Sequence, residues 1–221
     1  HHQLGAVDAG GAFGLLAATG GSHRLRSLWR FTHRWEAHAT RALREGHPGA
    51  LATYDRHGRI HEGGPLDVLD AAYSAWASDS RGGASALLLA ADGATVAALN
   101  HRARTDRVAA GLVDDTTTVR LADGLQGGAG DLVVTRRNDR RLATAAGGHV
   151  RNGTRWTLTT IHADGSADLA AQSGTDPEGT GQDRVRVPAY YVRRHLELGY
   201  ATTIHRAQGL TVDNKIGRAH V

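Results

Sequence analysis

The sequence predicts an α/β protein in which a parallel sheet with flanking helices is interrupted by an inserted small β-barrel. Three observations carry that prediction. From Leu66 onward apolar residues recur at helical spacing (Val68, Leu69, Ala72, Tyr73, Trp76), an all-apolar run Ala86-Leu87-Leu88-Leu89-Ala90 follows, and helical spacing then resumes to about Ala110. Helix, all-apolar strand, helix is the rhythm of a parallel sheet covered on both faces. Beyond Gly111 the texture changes to short strand-like runs separated by turns rich in Gly, Asp and Asn. Finally, residues 199–213 read as a strand, a sharp turn and a short helix, returning the chain to the α/β sheet.

Each element has a local reason. Arg24 to Phe31 alternate, as a strand does. Trp35, Ala39, Ala42 and Leu43 share one helical face, and Gly46 and Pro48 end that helix. His57 and His61 stand four apart, but Gly58, Gly63, Gly64 and Pro65 argue against a helix that would present both to a metal. The helix from Ala94 to about Ala110 points Val96, Leu99, Ala103 and Val108 inward. Thr95 lies just after the apolar strand. Ligands of open α/β sheets collect at the carboxyl ends of strands, so Thr95 and Asn100 are candidate nucleic-acid contacts, with helix capping and plain surface as the alternatives.

Between 115 and 190, strands are predicted at 119–121, 131–135, 155–161 and 184–187, with turns at Asp123-Gly124, Asn152-Gly153 and Asp164-Gly165. Asn152-Gly153-Thr154 is formally a glycosylation sequon and reads as a tight turn. Trp156 alternates with Leu158 and reads as core rather than as a stacking platform. Residues 174–182 read as a flexible loop, and 188–198 contain a helical segment around Tyr191 and His195.

Composition narrows the function classes. The 221 residues are 40% hydrophobic and 22% charged, a globular balance large enough to bury a core. No run of about 18 apolar residues exists and no signal peptide is visible, so the expectation is a cytoplasmic protein without a membrane partner. With no cysteine, disulfides and thiolate metal sites are excluded. The formal charge of +4 is carried almost wholly by arginine, which suits bidentate contact with phosphate. The absence of any Met predicts a piece of a longer protein, and Lys215-Ile216-Gly217-Arg218-Ala219-His220-Val221 resembles a translated sequencing adapter, hence a non-native tail.

In the stretch 199–213, Thr202 and Thr203 are placed to offer hydroxyls and backbone N–H groups at a helix N-terminus, where phosphate oxygens are favoured, and His205 and Arg206 add donors. Thr203, His205, Arg206, Gln208 and Gly209 fill the pattern Thr-x-His-(Lys/Arg)-x-Gln-Gly, which resembles motif V of superfamily 1 helicases of the RecD-like branch. Gln3-Leu4 and the following Gly5 to Leu16 resemble motif III in the helicase part of MobF-type conjugative relaxases. Arg30 before Phe31 resembles motif IV, although Trp29 is bulkier than the family usually has there. Gly130 to Asp139, then Arg151-Asn152-Gly153, resemble the inserted barrel of RecD-like helicases, with Arg136, Arg137, Arg140, Arg141 and Arg151 near one edge.

That resemblance implies the second motor domain of a RecA-like P-loop NTPase. Its parts would be residues 1–20 as the tail end of the first RecA-like domain, 21–114 and 191–214 as the second, and 115–190 as the barrel, with 215–221 as the non-native tail. It implies a fragment of an ATP-dependent DNA helicase, the motor of a relaxase that unwinds plasmid DNA during transfer. ATP and Mg²⁺ would serve the parent protein. Gln3 and Arg30 would be catalytic, both binding nucleotide together with Gln208 and Gly209. Thr95, Arg136, Arg137, Thr202, Thr203, His205 and Arg206 would contact single-stranded DNA. The missing first RecA-like domain and the relaxase domain would be partners in the same parent chain. Because no Gly-x-x-x-x-Gly-Lys-(Ser/Thr) occurs, this chain alone is expected to bind no cofactor and to be inactive. The alternative is a non-catalytic single-stranded nucleic-acid-binding domain.

Overall fold

The computed structural model describes residues 33–172, 183–207, 210 and 212–217, together with Thr19 and Phe31. It divides into two compact units, His1–Val68 and Leu69–Val221. The strand read at 24–31 and the loop read at 174–182 lie outside the described residues, apart from Phe31.

In the first unit α1 (Arg34–Arg44) and α2 (Gly49–Arg56) form a helical hairpin. Glu36 in the first turn of α1, and Arg41 and Arg44 in its last, suit the helix dipole. Gly46, at φ +79°, ends it in the left-handed conformation. The Trp35 ring stacks on His57 at 3.7 Å and meets Tyr54 edge-on, while the Tyr54 and Thr40 hydroxyls lie 2.6 Å apart.

Helix α3 (Pro65–Arg81) opens on a proline, which the first helical position tolerates, and buries Tyr73 and Trp76. Strand β1 (Ala86–Ala90) leads to α4 (Gly93–Ala109), whose N-cap Asp92 accepts a hydrogen bond from the Thr95 N–H. Next come β2 (Thr118–Arg120), β3 (Gln126–Gly128), β4 (Leu132–Thr135), β5 (Asp139–Ala143), β6 (His149–Val150), β7 (Arg155–Ile161), β8 (Ala167–Ala171) and β9 (Arg184–Val187). Helix α5 (Ala189–His195) and strands β10 (Leu196–Leu198), β11 (Ala201–Thr203) and β12 (Asn214–Gly217) complete the chain.

The expected parallel sheet is present as β11–β1–β12, with Ala90 opposite Thr203 and Ala86 opposite Asn214. Lys215, Ile216 and Gly217, read from sequence as tail, lie in β12 beside Leu87, Leu88 and Leu89. The 115–190 region builds an antiparallel sheet of order β10–β4–β7–β8–β9, with β2–β3 and β5–β6 as separate two-stranded pairs. Val133, Trp156, Leu158, Leu169, Val187, Tyr191 and Leu198 share one core with Trp76, Leu88, Leu99 and Tyr200. Trp156 is in that core, as its alternation predicts.

Two expectations need correction. The helical segment read in 188–198 stops at His195, because Leu196 and Leu198 are both buried while Glu197 between them is not, the two-residue period of a strand; Leu198 pairs with Val133. The helix read at 204–208 is a single turn over 204–207, closed by the Ala207 N–H donating to the Thr203 carbonyl at 3.0 Å.

Candidate nucleic-acid interface

The parallel register sets Thr203 level with Ala90, so the turn at 204–207 and the N-terminus of α4 both follow the carboxyl ends of neighbouring strands. This is where an open α/β sheet leaves a crevice. Thr95 sits there, with its hydroxyl donating to Asp92 Oδ2 and its N–H to Asp92 Oδ1, both at 2.8 Å. Thr203 Oγ1 accepts from the Arg206 N–H at 3.4 Å, capping the turn and leaving His205 and Arg206 on the surface. Thr202 is buried, and its Oγ1 finds no hydrogen-bond partner among the described residues. Of the two threonines, it is Thr203 that presents itself at the rim.

The strand carrying these threonines is anchored from beneath. Asn100, which sequence offered as a contact, is buried at 3% exposure. Its Oδ1 accepts from the Ala201 N–H at 2.8 Å, and its amide nitrogen donates toward the Leu198 and Ala201 carbonyls. A buried Asn placed on three backbone groups fixes the path of the chain rather than a ligand. Next to it, the Tyr200 hydroxyl donates to Asp131 Oδ1 at 2.6 Å; Asp131 Oδ2 accepts from Arg104 Nε at 2.9 Å and from the Gly128 N–H at 2.7 Å. Burial pushes the Tyr200 hydroxyl well above its usual pKa, and the Asp131 charge adds to the shift, so it stays a donor.

The insert contributes arginines to the same corner. Arg136 Nε donates to Glu197 Oε2 at 2.6 Å, and Arg206 Nη1 donates to the same oxygen at 2.9 Å. Arg136 and Glu197 are largely covered, with side chains 16% and 20% exposed, while that of Arg206 is 54% exposed. Burial, and then the nearby Arg206, pull the Arg136 guanidinium below its usual pKa, against the opposing pull of Glu197. Arg137 Nη1 lies 3.3 Å from His195 Nε2. The structure therefore brings together Arg136, Arg137, Thr203, His205 and Arg206. Gln3, Arg30, Gln208 and Gly209 lie outside the described residues.

His195 allows a pH test of this corner. Burial and then the Arg137 and Arg194 charges hold its pKa below the ordinary value. The unfolded chain therefore takes up the proton first, and stability falls as pH drops below about 6.5. Melting curves at pH 7.5 and 5.5 should show a smaller acid-induced loss for His195→Gln than for the wild type; equal losses would exclude His195 as a contributor.

Sequence reading missed Glu197 as the joint between two arginines, because its partners are 61 and 9 residues away along the chain. The only visible hint is a lone carboxylate between two buried leucines on a strand. Among the described residues no group of three His, Asp or Glu side chains could hold a metal ion, and no helix is long and apolar enough to cross a membrane.

Comparison with known proteins adds context. An AAA domain family model matches residues 1–65. The chain is 31% identical over 214 residues to a protein of Sinorhizobium fredii (strain NBRC 101917 / NGR234) described as "Probable conjugal transfer protein TraA". It is 31% identical to the conjugal transfer protein TraA of Rhizobium radiobacter, and 30% identical to that of Agrobacterium fabrum (strain C58 / ATCC 33970), over 216 residues in each case. Each alignment covers 96% of this chain and 18% of the relative, so the chain spans under a fifth of the length of the proteins it matches. Among solved structures, Bacteroides Pif1 bound to ssDNA aligns with 86% of this chain and 44% of its own, at 12% identity and a TM-score of 0.43.

Proposed function

Because this chain belongs with the conjugal-transfer TraA proteins, as a homologue of one segment of them, we propose that it is part of the motor region of an ATP-dependent DNA helicase in a MobF-type conjugative relaxase. In this reading the parent protein unwinds plasmid DNA in the cytoplasm during transfer, and the segment holds single-stranded DNA by its backbone. The α/β part is the second RecA-like motor domain, interrupted by the 115–190 insert as a small RecD-like barrel, and residues 1–20 end the first motor domain.

The observation that carries the reading is the shared Glu197 oxygen, which places the motif V arginine, Arg206, and the insert arginine, Arg136, on one corner at the carboxyl ends of β1 and β11. Two guanidinium groups at a strand-end crevice suit phosphate, and the absence of interleaved aromatic side chains favours backbone over base. Thr95, Arg137, Thr203 and His205 extend the surface, and Thr202 supports it from inside.

For ATP, the sequence supplies an incomplete set. Gln3, with an amide able both to donate and to accept, Arg30, Gln208 and Gly209 are the residues that would face nucleotide phosphates. When bound with Mg²⁺ in the parent, ATP would supply the free energy for strand movement. No phosphate-cradling loop with its lysine occurs in this chain. The 221 residues alone are therefore expected to hydrolyse ATP no faster than buffer; turnover that Arg30→Ala abolishes would overturn this.

Strand binding is tested by titrating a fluorescent oligo-dT into the chain over a salt series. Arg136→Ala and Arg137→Ala should each weaken binding to all sequences alike, and each should lower the salt slope by about 0.7 to 1. Unchanged slopes would remove these residues from the phosphate path. Binding by the full parent that is indifferent to nucleotide would favour a non-catalytic single-strand-binding domain.

A further inference from the structure

The geometry points to Glu197 as a built-in competitor for the strand: we propose that it holds Arg206 and Arg136 on one carboxylate oxygen until a DNA phosphate takes Arg206 away. This inference rests on the strand-binding reading above. The shared ligand chemistry is a phosphate oxygen, and the source proposed is the phosphodiester backbone.

Three observations support it. Both arginines converge on Oε2 alone, at 2.6 and 2.9 Å, the placement that two guanidinium groups would give a single non-bridging phosphate oxygen. The two arginines differ in freedom. Arg136 is largely covered and follows β4, and its own N–H donates to the His195 carbonyl at 2.7 Å, so it stays; Arg206 is more than half exposed on a one-turn loop, so it can leave. Glu197 is itself fixed in β10, opposite Val134, so the carboxylate cannot follow the departing arginine. A fixed anion, a fixed cation and an exposed cation shared between them make a two-position element, in which a strand must outcompete an internal carboxylate. Non-specific attachment is thereby weakened.

The test measures oligo-dT binding to the full 221-residue chain for the wild type, Glu197→Gln, Arg206→Ala and the double variant, across a salt series. Glu197→Gln should tighten binding by about three- to tenfold at low salt and steepen the salt dependence by about one contact. In the Arg206→Ala background that gain should vanish, because the parked arginine is what the substitution releases; simple loss of repulsion would give the same gain in both backgrounds. A gain that survives without Arg206, or a Glu197→Gln chain that binds no tighter, overturns the proposal. Should Gln impair folding, Glu197→Thr, which suits a strand, replaces it.

On the wild-type chain, the Glu197 carboxyl carbon signal should shift on saturation with oligo-dT and stay put with ATP or inorganic phosphate at equal phosphate concentration. No shift with oligo-dT, or one only with the small phosphates, also overturns the proposal. The strand-binding reading fails separately, if neither Arg136→Ala nor Arg206→Ala changes oligo-dT affinity.

Discussion

Asp131→Ala should remove about 3–5 kcal/mol of stability, the range seen when one partner of a buried ion pair is deleted. The carboxylate is fully buried and serves three donors at once: Arg104 Nε, the Tyr200 hydroxyl and the Gly128 N–H. No water can replace it without a cavity, and Arg104, with its side chain 14% exposed, would keep only Asp115 at 2.6 Å. The three donors come from α4, from the start of the motif V stretch and from β3, so the substitution loosens the joint where the insert leaves the α/β part. Urea unfolding monitored by tryptophan fluorescence measures the loss. Asp131→Asn keeps the shape and one acceptor, so it should cost clearly less; equal costs would mean that the charge plays no part.

Gly130→Ala should be nearly as damaging, by about 3 kcal/mol or more, through two separate effects. Gly130 sits at φ +96°, where an L residue is strained by roughly 1–2 kcal/mol. A Cβ there would also lie 2.2 Å from the Leu112 carbonyl oxygen, a backbone atom that cannot swing aside, and overpacking of this kind costs about 1–3 kcal/mol more. Gly153 separates the effects: its φ is +84°, but a Cβ would meet nothing within 4 Å. Gly153→Ala should therefore show the strain alone. Equal losses at the two sites, read from the same urea curves, would refute the steric part.

Much of the scaffold is legible in the chain because its signals are local. The apolar run 86–90 is β1, the spacing of Val96, Leu99 and Ala103 is α4, and the alternation around Trp156 is β7. The errors fall where local signals are short or shared. Leu196 to Leu198 continue an apolar face that suits helix or strand, and pairing with β4 decides for strand. Ala167 to Ala171 lack the bulky residues that mark a strand and become β8 through pairing with β7 and β9. At the site, Thr203, His205 and Arg206 were found from their spacing, whereas Asn100 was read as a contact and proves to be an internal anchor.

By itself, then, the sequence determined the parallel strand with its two helices, the β-rich insert and the arginines that give the chain its chemistry, because periodicity and residue type act over a few neighbours. Only the tertiary structure decided that Thr202 turns inward and Thr203 outward, that Tyr200 and Arg104 meet on Asp131, and that Arg136 and Arg206 share Glu197. Those are contacts across 9 to 69 residues. They are set by strand register and by the need to pair every buried charge, and no local pattern encodes either.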